Sequence, residues 1–425
     1  MKKITRILTG LLPAALASTT ALATNGDNLI GVGAISRGMG GVGIANPLDA
    51  VSAVFANPAA MCFGPVCDIS EFDFTGTMFM PKVNASVDLP GLAKFSADSE
   101  NYVYPIPAIG ISIPLDAAKR WRFGLAAYGV TGLGVDYRDT ALDQSLKTGL
   151  PAPAPAEVPL IAGEYTSFQI MKFAPSVAYQ VTDQLSVGLA VPLDYATLDL
   201  HNGSAPGYSI GVQPGIVYRP TPELSLGLIY VSPQPSTFDQ VADFDGDGRS
   251  DNLKLEAPQQ VGLGISYEFF DHTLTVAGDV KWLNWNNADG YDDFDWDNQW
   301  VFGIGAQYAL IPGKLYLRAG YNYAKNPVNE HNNWAPTDTT TVQGKTMPTY
   351  YYETFRLVGF PAIVENHVTL GLGYEISKTV SLDLGFMYGF SNTISETGAT
   401  PLGGAVTMKS ELEEFGVDFG LKFRF

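Results

Sequence analysis

Four carboxylates in one stretch of the chain have the spacing of a calcium-binding loop. The residues at positions 1, 3, 5 and 9 of an EF-hand pattern are Asp243, Asp245, Asp247 and Asp251. Gly248 stands at position 6, but position 12 is Lys254 and not the bidentate Glu of an EF-hand. Because hard cations prefer such oxygen clusters, we expect a structural calcium ion that rigidifies this loop. The alternative is a solvated acidic turn.

The two cysteines of the chain are close together in the sequence. Cys62 and Cys67 flank a turn at Gly64-Pro65. If the chain is exported to an oxidising compartment, this spacing predicts a disulfide. The closed loop is short, so the bond stabilises less than the roughly 3 kcal/mol expected of a fifteen-residue loop. A redox function would require a Cys-x-x-Cys motif, which the sequence lacks.

The sequence carries no catalytic motif. The four histidines are far apart and lack metal-ligand spacing, and no Gly-x-Ser-x-Gly elbow or phosphate-binding glycine loop stands on a strand-to-helix turn. A hydrolase would need a base beside its nucleophile. We therefore expect a protein that is not an enzyme and requires no cofactor.

The beginning of the chain, residues 1–23, has the layout of a removable signal peptide. Basic residues precede an apolar core from Ile7 to Leu16, and Ala21-Leu22-Ala23 forms an A-x-A cleavage site. The mature chain is therefore expected to begin at Thr24. The net charge of -18 argues against a nucleic-acid partner, because phosphate contacts need clusters of Lys and Arg.

The composition favours a transmembrane β-barrel. Hydrophobic residues form 46% of the chain, yet no run of about 18 apolar residues follows the leader to make a membrane helix. Dispersed apolar residues with many Gly, Phe and Tyr instead fit strands that alternate in hydrophobicity. A large periplasmic β-sandwich or propeller is the alternative.

The last strand gives the clearest evidence for a barrel. From Glu414 onward the odd positions are all apolar, namely Phe415, Val417, Phe419, Leu421, Phe423 and Phe425. The even positions are charged or glycine. Because strand side chains alternate between faces, one face of this strand is wholly apolar. The same periodicity predicts fourteen antiparallel strands over residues 68–425, joined by alternating short and long connections. Short turns then lie in the periplasm and long loops outside.

The stretch from Gly31 to Met61 differs from the strands that follow, because its many glycines exclude one regular helix. Its position after a leader and before a strand series predicts a plug, residues 24–67, inside the barrel. Ser36-Arg37-Gly38-Met39-Gly40-Gly41 and Asn57-Pro58-Ala59 resemble the N-terminal hatch of the FadL/TodX family of outer-membrane hydrophobe transporters. The resemblance extends over the mature chain and implies a monomeric, plugged, fourteen-stranded all-β barrel.

The resemblance also implies a ligand path. Its expected plug residues are Arg37, Met39, Asn57, Pro58 and Ala59. Arg37 either meets a carboxylate head group or pairs with an Asp or Glu of the barrel wall. A lateral gap is expected in the third strand, where Gly129, Gly132 and Gly134 suggest a bulge. These glycines equally suit a crowded barrel interior.

The function implied by this resemblance is passive uptake of hydrophobic compounds across the bacterial outer membrane. Long-chain fatty acids are the expected ligands, and the alternatives are aromatic hydrocarbons or a surface adhesin or structural barrel without transport. The expected partners are the hydrophobic ligand, outer-membrane lipid and the barrel assembly machinery. The last of these follows from the C-terminal Phe425, which resembles an assembly signal.

Overall fold

The computed structural model describes residues 24–63, 69–148, 163–200 and 202–425. The predicted leader, residues 1–23, lies outside these ranges. The predicted disulfide also lies partly outside them, because Cys67 is not among the described residues. Cys62 itself is buried at the end of a short 3-10 helix, Pro58–Cys62. No helix in the described ranges is long and apolar enough to cross a membrane.

Antiparallel strands form a closed barrel. In chain order the strand segments are β1 Glu71–Leu89, β2 Ala93–Asp98, β3 Tyr104–Pro114, β4 Trp121–Asp136, β5 Tyr165–Gln180, β6 Leu185–Ala190, β7 Leu193–Asp199, β8 Ala205–Ile210, β9 Gln213–Tyr218, β10 Leu224–Val231, β11 Gln234–Ala242, β12 Asp251–Ala257, β13 Gln260–Phe269, β14 Leu274–Leu283, β15 Gln299–Ile311, β16 Leu315–Ala324, β17 Asn332–Trp334, β18 Thr339–Val342, β19 Lys345–Pro348, β20 Asn366–Glu375, β21 Val380–Ala399 and β22 Ala405–Arg424. The last segment, β22, pairs with β1 and closes the barrel.

The predicted number of fourteen barrel strands is confirmed. Five barrel strands consist of two segments each, namely β2 with β3, β6 with β7, β8 with β9, β10 with β11, and β12 with β13. Segments β17 to β19 belong to a loop. The helices are α1 Ala34–Gly38, α2 Ala50–Ala56, α3 Ala141–Thr148 and α4 Thr349–Glu353, with a π-helix at Thr354–Gly359.

The outer face of the barrel is apolar, as the strand periodicity predicts. On β13 the outward side chains Val261, Leu263 and Ile265 are 39%, 58% and 51% exposed. Similar rows of exposed apolar residues continue around the barrel on β1, β10, β15, β16, β20 and β22. A water-soluble protein does not expose a continuous apolar surface of this size. The periplasmic sandwich or propeller is therefore excluded, and the strands cross a membrane.

Four neighbouring barrel strands each contain a two-residue break, and the breaks lie side by side across the barrel wall. The breaks fall at Val191-Pro192, Gly211-Val212, Ser232-Pro233 and Pro258-Gln259, between the paired segments from β6 to β13. Proline has no N–H for a ladder hydrogen bond, which explains why three of these breaks contain one. Beyond the breaks, β11 and β12 pair only with each other. β11 nevertheless stays next to β8, where Phe238 and Ser236 pack against Gly207 without a ladder between the two strands.

The N-terminal residues 24–63 lie against the inner face of the barrel. Almost all of them are buried, and their polar contacts reach strands on every side. The backbone N–H groups of Gly43 and Ile44 donate to Asp279 of β14 at 2.8 and 3.1 Å. On other sides, Leu29 N donates to Val130 O of β4, and Val51 N donates to Asp73 of β1.

Inward-facing glycines make room for this N-terminal segment. Pairs of glycines face each other across neighbouring strands, namely Gly188 with Gly215, Gly227 with Gly264, Gly305 with Gly320, and Gly371 with Gly385. A Cβ atom at Gly320 would clash with the backbone of Met39 and Gly40, and a Cβ at Gly227 would clash with that of Ile44. The glycines are thus required by the close approach of two backbones.

A long loop covers the end of the barrel opposite the C-terminal residue Phe425. It runs from residue 325 to 365 and contains β17 to β19, α4 and the π-helix. Phe355, Leu357, Val358, Phe360 and Ile363 are fully buried, so the loop packs into the mouth. At the same end, Leu142 and Leu146 of α3 are buried at the helical spacing that the sequence shows.

Candidate functional site

A cavity lies between the N-terminal segment and the interrupted strands. Its apolar lining comes from Leu29, Ile44, Phe55, Ala56, Tyr128, Val130, Pro192, Ile229, Val231, Ala257 and Leu283. Its polar lining comes from Asn25, Asn28, Lys172, Gln213, Gln234, Gln260 and Lys281. Several of these residues stand at the ends of strand segments beside the breaks. An apolar cavity with a few polar groups is the usual form of a binding site for a small hydrophobic molecule.

The two lysines of the cavity differ in their partners. The Lys172 ammonium donates to Asp194 and to Gln234, both at 2.6 Å. Lys281 faces the interior from β14 and makes no hydrogen bond or ion pair with another residue of the described ranges. Asp279, two residues earlier on the same face of β14, attracts the Lys281 ammonium but forms no ion-pair contact with it, so the charge is only partly compensated. The cavity therefore offers a cationic group that an anionic ligand would satisfy.

Arg37 pairs with the barrel wall, which is the second of the two alternatives stated above. It is 1% exposed, and its Nε lies 3.0 Å from Asp418 Oδ1 on β22. Met39 is 3% exposed and packs with Ile35, Val42 and Ala277. Neither Arg37 nor Met39 lines the cavity. Both residues hold the N-terminal segment in place.

The Asn57-Pro58-Ala59 element also anchors the N-terminal segment to the wall. Asn57 caps the following 3-10 helix by accepting from Ala59 N at 3.1 Å. Its Nδ2 donates to Ile216 O of β9 at 3.1 Å, and Ser186 of β6 donates to Ala59 O at 2.6 Å. The element begins next to the cavity, since Phe55 and Ala56, which immediately precede it, line the cavity.

The glycines of β4 accompany an interruption in the wall. The ladder between β3 and β4 ends at Ala108 opposite Tyr128, and a bulge follows between Gly129 and Thr131. Beyond this point β4 pairs with β5, while the neighbouring part of β3 pairs with β1. Backbone contact resumes only where Glu100 N donates to Asp136 O at 2.9 Å. A stretch of wall between β3 and β4 thus has no ladder.

The N-terminal segment contacts this interruption directly. Leu29 N donates to Val130 O at the bulge, and Thr131 Oγ1 donates to Asn28 Oδ1 at 3.1 Å. A Cβ atom at Gly132 would meet no atom within 4 Å, so the space beside it is open. A second, smaller cavity here is lined by Thr24, Asp27, Tyr104, Gly132, Leu133, Gly134 and Pro361, among others.

The predicted calcium loop joins β11 to β12 at the long-loop end. Carboxylate oxygens of Asp243, Asp245 and Asp247 lie within 4.8 Å of one another, a set that fits a hard cation. The Lys345 ammonium, however, lies 3.0 Å from Asp245 and 2.6 Å from Asp251. Its hydrogen bond lowers the pKa of the Asp245 carboxyl. Calcium would have to compete with this ammonium, and the calcium site stays a prediction.

The structure also brings together a charged cluster that sequence spacing did not indicate. His331 contacts Glu353 through Nδ1 at 2.7 Å and Asp295 through Nε2 at 2.9 Å. The Arg356 guanidinium pairs with Glu353 and with Glu396 of β21. His331 is 22 positions from Glu353, 36 from Asp295 and 65 from Glu396, so the cluster joins two loops and a strand. The cluster ties the loop 325–365 to its neighbours.

The fold and these contacts define a membrane-spanning barrel whose interior holds its own N-terminal segment. Residues 11–206 match the family model described as "Outer membrane protein transport protein (OMPP1/FadL/TodX)". This match, which covers less than half of the chain, confirms the resemblance given by the N-terminal motifs. Together with the apolar outer face, it places the chain in the bacterial outer membrane. No curated protein sequence matches the chain significantly.

Solved structures with the same fold cover nearly the whole chain. The toluene transporter TodX of P. putida is 20% identical with a TM-score of 0.63, covering 92% of this chain and 98% of that chain. The toluene transporter TbuX of Ralstonia pickettii is 18% identical with a TM-score of 0.63, covering 93% and 99%. A Pseudomonas aeruginosa FadL homologue is 16% identical with the same score, covering 96% and 99%. At these identities, the likeness establishes the fold.

The loop contacts of His331 predict a dependence on pH. The hydrogen bond with Glu353 raises the pKa of His331 above its ordinary value. A raised pKa means that the protonated ring stabilises the loop at pH below about 6.5. This contribution is lost as the pH rises through the raised pKa. Trypsin should therefore cleave at Lys345 faster above this transition than below it.

A His331→Gln variant provides the control for this measurement, because glutamine keeps a polar side chain that does not titrate. Cleavage of the variant reports the pH dependence of the protease alone. The ratio of wild-type to variant cleavage rates should rise with pH. A ratio that stays constant from pH 5 to pH 9 would contradict the assignment.

Proposed function

We propose that this protein carries hydrophobic compounds passively across the outer membrane, and that its ligands are long-chain fatty acids. The observation that carries the proposal is the apolar cavity with the Lys281 ammonium in its wall, which forms no hydrogen bond or ion pair with the residues that the structure describes. A fatty acid has the matching chemistry, since its alkyl chain suits the lining and its carboxylate suits the ammonium.

Burial of the alkyl chain supplies the energy for capture. Moving about fifteen methylenes out of water at about 0.8 kcal/mol each stabilises the bound state by on the order of 12 kcal/mol. No external energy source is then needed for entry. A charge-assisted hydrogen bond to Lys281 would contribute about 1.5–3 kcal/mol more and would fix the orientation of the head group.

The proposed exit is the interruption between β3 and β4. Open space lies beside Gly132, and the bulge at Val130 is held by the N-terminal residues Asn28 and Leu29. Asn28 and Leu29 also line the cavity. A ligand that displaces these two residues would therefore reach the gap and leave sideways into the bilayer, where its alkyl chain stays out of water.

Aromatic hydrocarbons are the second candidate ligands. The toluene transporters TodX and TbuX share the fold. Phe55 and Tyr128 of the lining pack edge to face, with their ring centroids 5.4 Å apart. This pair offers an aromatic surface on which the ring of a ligand could pack. A hydrocarbon has no group for Lys281, and this difference separates the two candidates.

Replacing Lys281 tests the ligand class. Lys281→Met keeps the length of the side chain and removes its charge. We expect uptake of radiolabelled oleate at limiting concentration to fall about tenfold, in line with the loss of a hydrogen bond to a charged group. Toluene uptake should not change.

Lys82→Met is the control for this substitution, because Lys82 is exposed on the outer face of β1. It should transport both compounds like the wild type. Unchanged oleate uptake by Lys281→Met, in a barrel that is still heat-modifiable, would refute the fatty-acid assignment and favour aromatic hydrocarbons.

Filling the gap tests the exit route. A valine at Gly132 fits without displacing its neighbours and points to the outer face, since Gly132 pairs with the exposed Gln169, so Gly132→Val should leave the barrel folded but obstruct the opening on its membrane side. Uptake of oleate and of toluene should both fall at least tenfold. Gly76→Val is the matched control, since Gly76 lies in equally open space on β1. Full transport by Gly132→Val would remove the gap from the path.

A further inference from the structure

Glu414 is a buried carboxylate with too few hydrogen-bond donors around its two oxygen atoms. It faces inward from β22 and is 3% exposed. Its Oε2 atom has no hydrogen-bond partner among the described residues. Its Oε1 atom lies 3.4 Å from Thr24 Oγ1, but that hydroxyl has one proton and lies only 2.6 Å from Gly26 O. The hydroxyl proton therefore goes to Gly26.

The cations near Glu414 do not balance the local charge. Glu414 and Asp418 are four residues apart on the same face of β22, so both carboxylates point inward. Arg37 lies over Gly416 between them and pairs with Asp418 at 3.0 Å. One guanidinium thus serves two buried carboxylates. A buried carboxylate without a paired cation is strongly unfavourable, so a second positive charge at this place would stabilise the ionised form of Glu414.

Thr24 lies where that charge is needed. It is 4% exposed, and its Oγ1 atom lies 3.4 Å from Glu414 Oε1, so the backbone nitrogen of the same residue belongs to the immediate surroundings of this carboxylate. The sequence predicts that the leader is cleaved before this residue. Hydrolysis of the Ala23–Thr24 peptide bond consumes one water, leaves a carboxylate on Ala23 and creates an α-amino group on Thr24. That group is protonated at neutral pH and below.

We propose that the α-ammonium group of Thr24, created by removal of the leader, forms a buried ion pair with Glu414 inside the barrel. Before cleavage, the Thr24 nitrogen is an amide that offers one proton and no charge. After cleavage, it offers three protons and the missing positive charge. Removal of the leader would thereby complete the charge balance among Arg37, Asp418 and Glu414.

This ion pair would fix the residues that hold the wall interruption. Thr24 is followed by a tight turn in which Asn25 and Asn28 exchange backbone hydrogen bonds at 3.0 and 3.3 Å. The next contacts are those of Asn28 and Leu29 with the bulge in β4. A tethered chain end would therefore hold the bulge in the arrangement seen here.

The chemical reactivity of the amino terminus tests the proposal. The mature protein is purified from outer membranes in detergent, and its intact mass is measured. It is then treated briefly with formaldehyde and cyanoborohydride, and methylation of the N-terminal peptide is measured by mass spectrometry. We expect the mass of a chain that begins at Thr24. We also expect its α-amine to react at least tenfold more slowly than in the urea-unfolded protein.

Variants separate the ion pair from simple burial. Glu414→Gln keeps the shape of the side chain and removes its charge, so its α-amine should react at least severalfold faster than that of the wild type. Glu413→Gln, on the opposite face of β22, should behave like the wild type. Thr24→Ala keeps the α-amine and removes only the hydroxyl, so its amine should stay protected.

Several results would overturn the proposal. A mature chain that begins at another residue removes the ammonium from this position. An α-amine that reacts in the folded wild type as fast as in urea shows that no pair forms. If Glu414→Gln does not fold, loss of protection in Thr24→Ala would still contradict a pair made by the ammonium. The readouts do not involve transport, so they are independent of the proposed function.

Discussion

The structure depends on the close approach of the N-terminal backbone to the inner wall of the barrel. A barrel of fourteen strands encloses a space that side chains alone do not fill, and here residues 24–63 occupy it. Facing glycines such as Gly305 and Gly320 let the two backbones touch, while wall carboxylates such as Asp279 accept N–H groups that no helix or sheet satisfies. The buried pair of Arg37 and Asp418 adds a charged anchor.

These anchors leave one side of the interior less tightly filled. The cavity lies where proline interrupts neighbouring strands, so the wall itself provides the space. Lys172 is neutralised by Asp194, whereas Lys281 is not paired. The interruption between β3 and β4 lies near the same N-terminal residues that line the cavity. Tightly anchored residues and residues beside open space thus coexist in one N-terminal segment.

The sequence predicted the barrel well because strand periodicity is a local property. In β13, and in β22 from Glu414 onward, apolar side chains occupy every second position of the sequence and therefore one face of the strand. The number of strands and the apolar outer face followed directly from this pattern. Contacts between distant residues were not predictable in this way. Arg37 had two possible partners until the fold placed Asp418 beside it, and nothing near Lys281 in the sequence marks it as a cavity residue. The sequence showed glycines at inward-facing positions of the strands, but only the structure shows that the N-terminal backbone packs against them.

The most direct test of this account is a cross-link between the N-terminal segment and the inner wall. A Cβ atom at Gly420 would lie 3.4 Å from Ala34 Cβ, close to the roughly 3.5–4.5 Å of a disulfide. In a background carrying Cys62→Ser and Cys67→Ser, the pair Ala34→Cys and Gly420→Cys should form a disulfide that mass spectrometry detects. The pair Ala34→Cys and Gly76→Cys, with Gly76 on the outer face of the adjacent strand, should form none. Failure of the first pair to cross-link in a folded barrel, or equal cross-linking of both pairs, would contradict the placement of this segment inside the barrel.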